Sequence, residues 1–252
     1  MFSNKTIVIT GAGSGIGRAT ARILAELNAN LVVTDFDGDS AAETAELIRG
    51  FGGGIESMRV DVCDVNQVKA MVDLAVERFG QLHGAFNNAG LPMVNKLVDE
   101  LEVDDWDRVL DVNLKGVFLC MKYEIAAMRK TGGGAIVNTS SGNGAVANPY
   151  ASEYCASKHG VMGLTRASAC EAAVTGVRVN AVMPGMIVTP MTEDLVNDPN
   201  FKEHHDIALA RHTIGRFGQP EEIGYAVKWL LSDEASFVNG AGIAVDGGYT
   251  AR

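Results

Sequence analysis

At 252 residues, with 47% hydrophobic and 21% charged side chains, the chain has material for a substantial core, which excludes a peptide-sized scaffold and a disordered polymer. Its 21 basic and 31 acidic residues leave a formal charge of −10, so no basic field exists to attract nucleic acid or an anionic membrane. The four cysteines, Cys63, Cys120, Cys155 and Cys170, contain no Cys-x-x-Cys pair and read as reduced small hydrophobes of a cytoplasmic protein.

The N-terminus enters an apolar strand, Thr6–Thr10, with no signal-peptide pattern before it, and no apolar run reaches the roughly 18 residues that span a bilayer. Thr10-Gly11-Ala12-Gly13-Ser14-Gly15-Ile16-Gly17 follows and opens a helix, Gly15–Leu27. A glycine-rich strand-to-helix turn presents backbone N–H groups at a positive helix end, where a pyrophosphate binds; a plain tight turn has the same composition. No Lys-Ser or Lys-Thr follows, which excludes a nucleoside-triphosphate loop.

The second strand, Asn30–Thr34, ends at Asp35, eighteen residues past Gly17. A carboxylate there accepts both hydroxyls of an adenosine ribose and repels a 2′-phosphate. Neither Ser14 nor Phe36 supplies a compensating cation and Arg18 reads as a helix-surface residue, so the expectation is NAD rather than NADP, against the alternative of a solvated turn carboxylate. A helix at Ser40–Arg49, a strand at Ile55–Val60, a helix at Asn66–Phe79 and a strand at Gly84–Asn87 continue the alternation. Next come a helix at Asp104–Arg129 and a strand at Ala135–Thr139.

The following helix, Glu153–Val174, carries Tyr154 and Lys158 at i and i+4, which share one face. An ammonium favours a neighbouring phenolate and so moves a tyrosine towards general acid-base work, although an interfacial tyrosine beside a solvated lysine has the same spacing. A strand at Arg178–Val182, a mixed insertion at Thr189–Gly218 holding Pro190 and Pro199, a helix at Pro220–Leu231 and a strand at Ile243–Val245 complete the chain. The alternation predicts one α/β domain over residues 1–252, a doubly wound parallel seven-stranded sheet with helices on both faces and a lid at about 189–218.

The glycine turn, Asp61-Val62, Asn87-Asn88-Ala89-Gly90, Asn113 within Asp111–Leu114, Ser140-Ser141, Tyr154-Cys155-Ala156-Ser157-Lys158 and Pro184-Gly185 occur in that order. Together they resemble the short-chain dehydrogenase/reductase family over nearly the whole chain. The resemblance implies a Rossmann fold and hydride transfer between NAD(H) and a secondary alcohol or ketone. Tyr154 is then the general acid-base, Lys158 the residue that lowers its pKa and holds the nicotinamide ribose, Ser141 the substrate-oxygen partner with Ser140 its decoy, and Asn113 the anchor of a proton-relay water. The resemblance also puts Asp61 and Val62 at the adenine and Asn87, Ala89 and Gly90 beside the adenosine ribose and pyrophosphate. Ile187 and Thr189 would meet the carboxamide, past a strand exit shaped by Pro184 and Gly185. It further implies a homotetramer packed through the catalytic helix, whose small residues include Ala156, Gly160, Gly163, Ala167 and Ala169, with Asp246–Tyr249 near another interface.

Expected pocket walls are Met93, Asn143, Ala145 and a lid starting at Met186, and the apolar Met186, Met191, Leu195, Phe201 and Leu209 point to a mainly hydrophobic or cyclic substrate, or to simple lid packing. His204, His205 and His212 form no metal motif and read as surface or lid residues; His159 faces away from the tyrosine. A methyltransferase lacks the later motifs, an extended sugar-nucleotide epimerase needs a larger C-terminal domain, and a non-catalytic nicotinamide sensor predicts erosion at Ser141, Tyr154 or Lys158.

Overall fold

The computed structural model describes residues 2–193 and 202–251. Its centre is β1, Thr6–Thr10, buried along its whole length because both faces of the sheet are covered. Side chains alternate between the two cores: Ile7 and Ile9 face one, Val8 the other. The other strands are β2 (Asn30–Asp35), β3 (Ile55–Arg59), β4 (Gly84–Asn87), β5 (Gly134–Thr139), β6 (Val177–Pro184) and β7 (Gly242–Val245). They form one seven-stranded sheet in the order β3-β2-β1-β4-β5-β6-β7, with every neighbouring pair parallel. The order reverses between β1 and β4, and ligands of such sheets bind in the crevice outside the strand ends at that point.

Helices α1 (Gly15–Ala25), α2 (Gly38–Ile48) and α3 (Val65–Phe79) link the first four strands. Asp37 and Asp64 cap α2 and α3 by accepting backbone N–H groups two and three residues on, while Asn28, at φ 61°, ends the first helical segment just before β2. The single helix expected at Asp104–Arg129 is instead α4 (Val103–Leu110), a wide π turn at Asp111–Gly116 and α5 (Val117–Arg129). Such a bulge inserts a residue into a continuous helix without an outward break, which hydrophobic periodicity does not register. The catalytic-helix candidate is α6, Ser152–Ala172. Within the insertion the structure adds a short turn at Pro190–Thr192 and α7 (Lys202–Ala210) before α8 (Pro220–Leu231). Leu195, Pro199 and Phe201 lie outside the described residues, as does the side chain of His204. No helix among the described residues is long and apolar enough to cross a membrane.

Beneath the C-terminal ends of β4 and β5 lies a wholly buried polar network. Asn87 Nδ2 donates to Glu124 Oε2 and to Asn138 Oδ1, both at 3.0 Å, and Asn138 Nδ2 donates to Thr165 Oγ1 at 3.0 Å. Burial pushes the Glu124 carboxyl up to about 8, against the opposing effect of the Asn87 bond. A carboxyl with a raised folded-state pKa stabilises the fold below its unfolded value, and that contribution is lost as pH rises towards the folded value. Glu124→Gln, which stays neutral and retains an amide able to meet the unpartnered Asn87 Oδ1, should therefore gain stability over the parent as pH rises. Urea unfolding should show the difference widening by about 3 kcal/mol between about pH 5 and about pH 8. Parallel pH–stability curves would contradict the burial of a neutral acid.

Candidate active site

The glycine turn needs two left-handed residues, Gly11 at φ 63° and Gly15 at φ 49°, which a side chain strains. At Gly17 a Cβ would lie 2.1 Å from the Gly11 carbonyl oxygen, so the first helical turn can close on the strand end only with glycine there. Asp35 Oδ2 accepts the Gly13 N–H at 2.9 Å, and Asn88 Nδ2 donates to the Gly11 carbonyl at 3.0 Å. Ser14 precedes α1 without a side-chain cap, leaving the helix N-terminus to the turn. Arg18 is no free surface residue: its guanidinium donates to the Gly13 carbonyl and to Glu43, and its Nε to Thr44 Oγ1, which ties the turn to α2.

Phe36 is 64% exposed beyond Asp35, and the Arg59 guanidinium lies 4.8 Å from its ring centroid. Arg59 is the register partner of Asp35 on β3, a cation at the ribose end that sequence reasoning missed because only strand pairing brings it there. Asp61 Oδ1 accepts the Cys63 N–H at 2.9 Å, while Val62 is buried against Gly116 of the π turn. Ile16 is partly buried against the core.

The Asn87 side chain is turned into the buried network by both Nδ2 bonds, which leaves only its backbone to face the cofactor position. Ala89 and Gly90 follow at the β4 exit, with Ala89 N–H donating to Thr10 Oγ1 at 3.2 Å. A Cβ at Gly90 would stand 3.2 Å from Asn113 Oδ1 and 3.7 Å from Lys158 Nζ, so this glycine joins the cofactor side to the catalytic side. Asn113 is buried and gives both ends of its amide to Leu91, accepting its N–H at 2.7 Å and donating to its carbonyl at 3.0 Å. The amide is thus a brace for the β4 exit.

Ser141, Tyr154 and Lys158 converge from β5 and α6. Ser141 Oγ accepts the Asn143 N–H at 3.1 Å in a short turn, and its side chain lies near enough to the Tyr154 hydroxyl to favour its ionised form. Ser140 instead donates to the Lys158 carbonyl at 2.9 Å and is buried, which makes it the structural member of the serine pair. Lys158 Nζ stands 5.4 Å from the Tyr154 ring centroid and donates to the Thr139 carbonyl at 2.9 Å. Burial holds the Tyr154 hydroxyl above its ordinary value, partly offset by the neighbouring Ser141 side chain, and pushes Lys158 down to about 8. Here desolvation outweighs the lowering of the tyrosine expected from i,i+4 spacing.

On the substrate side, Met93 and Met186 are half-buried, whereas Ala145 and Met191 are exposed. Asn143 is buried and its Oδ1 accepts the Tyr249 hydroxyl at 2.8 Å. Tyr249 comes from 106 residues away, with Arg211 4.3 Å from its ring centroid, and no local sequence signal announces either contact. Asp246 accepts N–H groups from Gly248 and Thr250 in the same C-terminal turn. Of the surface and lid readings of His212 the second holds: it is buried within the insertion, its Nε2 accepts the Met186 N–H at 2.9 Å, and its Nδ1 donates to the Ala208 carbonyl at 2.8 Å. Pro184 ends β6, and any side chain at Gly185 would strike His212 and Asp246. Ile187 is buried with its carbonyl bound by Thr192 at 2.6 Å, and Thr189 reaches back to the glycine turn, where a Cβ at Gly15 would lie 3.1 Å from Thr189 Cγ2.

These residues fit a nicotinamide dinucleotide: an uncapped helix end and glycine turn for the pyrophosphate, Asp35 at one end, and Gly90, Lys158 and Thr189 at the other. His205 stacks edge-on against Phe217, and no group of side chains placed to hold a metal ion occurs among the described residues.

A family model described as enoyl-(acyl carrier protein) reductase matches residues 11–250. Cyclohexanol dehydrogenase of Acinetobacter sp. (strain SE19) is 45% identical over 251 residues, covering 100% of this chain and 97% of that protein. Cis-4-hydroxycyclohexanecarboxylate dehydrogenase of Sinomonas cyclohexanicum is 44% identical, covering 99% and 98%. The crystal structure of levodione reductase superposes with a TM-score of 0.95 at 37% identity, covering 100% of this chain and 99% of the other.

Proposed function

The chain belongs to the short-chain dehydrogenase/reductase family, and on that premise we propose that it interconverts a secondary alcohol and a ketone with NAD(H), acting on a mainly apolar, cyclic substrate. One observation carries the reading: the Ser141 side chain acts on the Tyr154 hydroxyl at the C-terminal side of the sheet, with Lys158 one helical turn on and Gly90 between that lysine and the glycine turn. The cyclohexane-derived substrates named for the relatives support the cyclic assignment.

When bound, the nicotinamide cofactor donates or accepts the hydride. The chain's own residues place and balance the proton. In reduction, the Tyr154 hydroxyl, held protonated by burial, gives its proton to the ketone oxygen as negative charge grows there, while the Ser141 hydroxyl donates a hydrogen bond to the same oxygen. In oxidation Tyr154 takes that proton back. Lys158 holds the nicotinamide ribose and, with its ammonium form, favours the phenolate. Asp35 disfavours a 2′-phosphate, with Arg59 nearby as a partial counterweight. Gly163 and Ala167, exposed on α6, support a homotetramer packed through this helix.

The test is a panel of cyclic and open-chain secondary alcohols and ketones with NAD(H) and NADP(H), read at the reduced nicotinamide band. Turnover of cyclic members is expected, with NAD(H) preferred at least about tenfold, the ratio set by about 1.4 kcal/mol of repulsion. NADP(H) preference would remove the Asp35 assignment. Cofactor binding without turnover of any member would leave a nicotinamide sensor in its place.

A further inference from the structure

Between β4 and α4 the chain runs through residues 88–102 without helix or strand, and it carries Met93 on the substrate side. Three side chains fasten this loop. Asn113 holds both backbone groups of Leu91, and Lys96 pairs with Asp105 at 3.1 Å. Between them the Val94 N–H donates to Glu153 Oε1 at 2.7 Å, just before Asn95 turns the backbone at φ 64°.

Glu153 is the residue before Tyr154, in the first turn of α6, and it is fully buried. Burying a carboxyl with one oxygen satisfied and the other, Oε2, without a hydrogen-bond partner is costly. The N-terminal end of α6 offsets part of that cost. A neutral apolar residue would fill the space more cheaply if only packing were required, and it would leave the Val94 N–H without its acceptor. The bond links a loop carrying one pocket wall, Met93, to the helix turn that carries the Tyr154 hydroxyl.

We propose that Glu153 is a positioning residue that latches the 91–98 loop to the catalytic helix and so fixes the distance between the Met93 wall and the Tyr154 hydroxyl. The proposal rests on the functional reading of Tyr154 given above. Because the latch lies away from the glycine turn, its loss moves substrate recognition and not cofactor binding.

Glu153→Leu should raise KM for a cyclic alcohol at least about tenfold while the NADH Kd, read by fluorescence, stays within about twofold. Glu153→Gln keeps a carbonyl acceptor on the same stem and should restore KM. Hydrogen exchange of the Val94 amide should be slow in the parent and in Glu153→Gln and at least about tenfold faster in Glu153→Leu. Replacing Val94 by its α-hydroxy acid deletes only the N–H and should reproduce the KM rise, which keeps the test sound should Glu153→Leu not fold. An unchanged KM in the hydroxy-acid variant, failure of Gln to rescue, or fast Val94 exchange in the parent would each overturn the proposal. Should the parent turn over no alcohol or ketone, the functional reading falls, and Val94 exchange alone decides the latch.

Discussion

Tyr154→Phe should lower turnover in both directions at least about hundred-fold and leave NADH affinity within about threefold. The substitution removes one oxygen from a side chain whose ring stays packed against the Lys158 side of the crevice, so the cofactor cradle formed by Gly11–Gly17, Asp35 and Gly90 keeps its shape. What disappears is the proton that burial holds on the hydroxyl. General acid-base catalysis contributes roughly 10²–10⁴ in rate, which sets the size of the effect. Steady-state turnover combined with NADH fluorescence titration separates the two quantities. Near-parental turnover would assign the proton transfer to another group, and a matching loss of NADH affinity would make Tyr154 a cofactor-binding residue first.

The central sheet was legible because its strands are short β-branched runs between amphipathic stretches, and a buried parallel sheet demands that pattern. The placing of Tyr154 and Lys158 on one helix was legible for a different reason, their i,i+4 spacing, and Ser141 was singled out by the ordered set of motifs that carries the family resemblance. Motif reading does not say where the amides of Asn87 and Asn113 point: Asn87 turns its amide to Glu124 and Asn138, and Asn113 braces Leu91. Whether a conserved-type amide faces a ligand or the interior depends on the strand face and on a partner 37 or 51 residues away, neither of which local sequence contains. The same holds for Tyr249 on Asn143 and for Glu153 on Val94, contacts that exist only once the sheet has brought distant loops to one edge. The π turn at Asp111–Gly116 was hidden because its residues continue a helical pattern.

Lys158 joins catalysis and stability in opposite directions. Lys158→Met should lower turnover at least about hundred-fold and weaken NADH binding at least about tenfold, since one amine is assigned both the ribose contact and the support of the phenolate. The amine is almost wholly buried with the Thr139 carbonyl as its hydrogen-bond acceptor, and burial lowers its pKa to about 8. A base depressed in the folded state releases its proton earlier than it does unfolded, so the unfolded chain binds more protons between about 8 and the ordinary lysine value of about 10.4. Parental stability therefore rises with pH across that window, and below it the full cost of burying an ammonium is present. Methionine carries no such cost, although it strands the Thr139 carbonyl. Relative to the variant, the parent should gain about 2 kcal/mol between about pH 8 and about pH 10 in urea unfolding. A constant difference across that range would mean that the amine is hydrated in solution and titrates as an ordinary surface lysine.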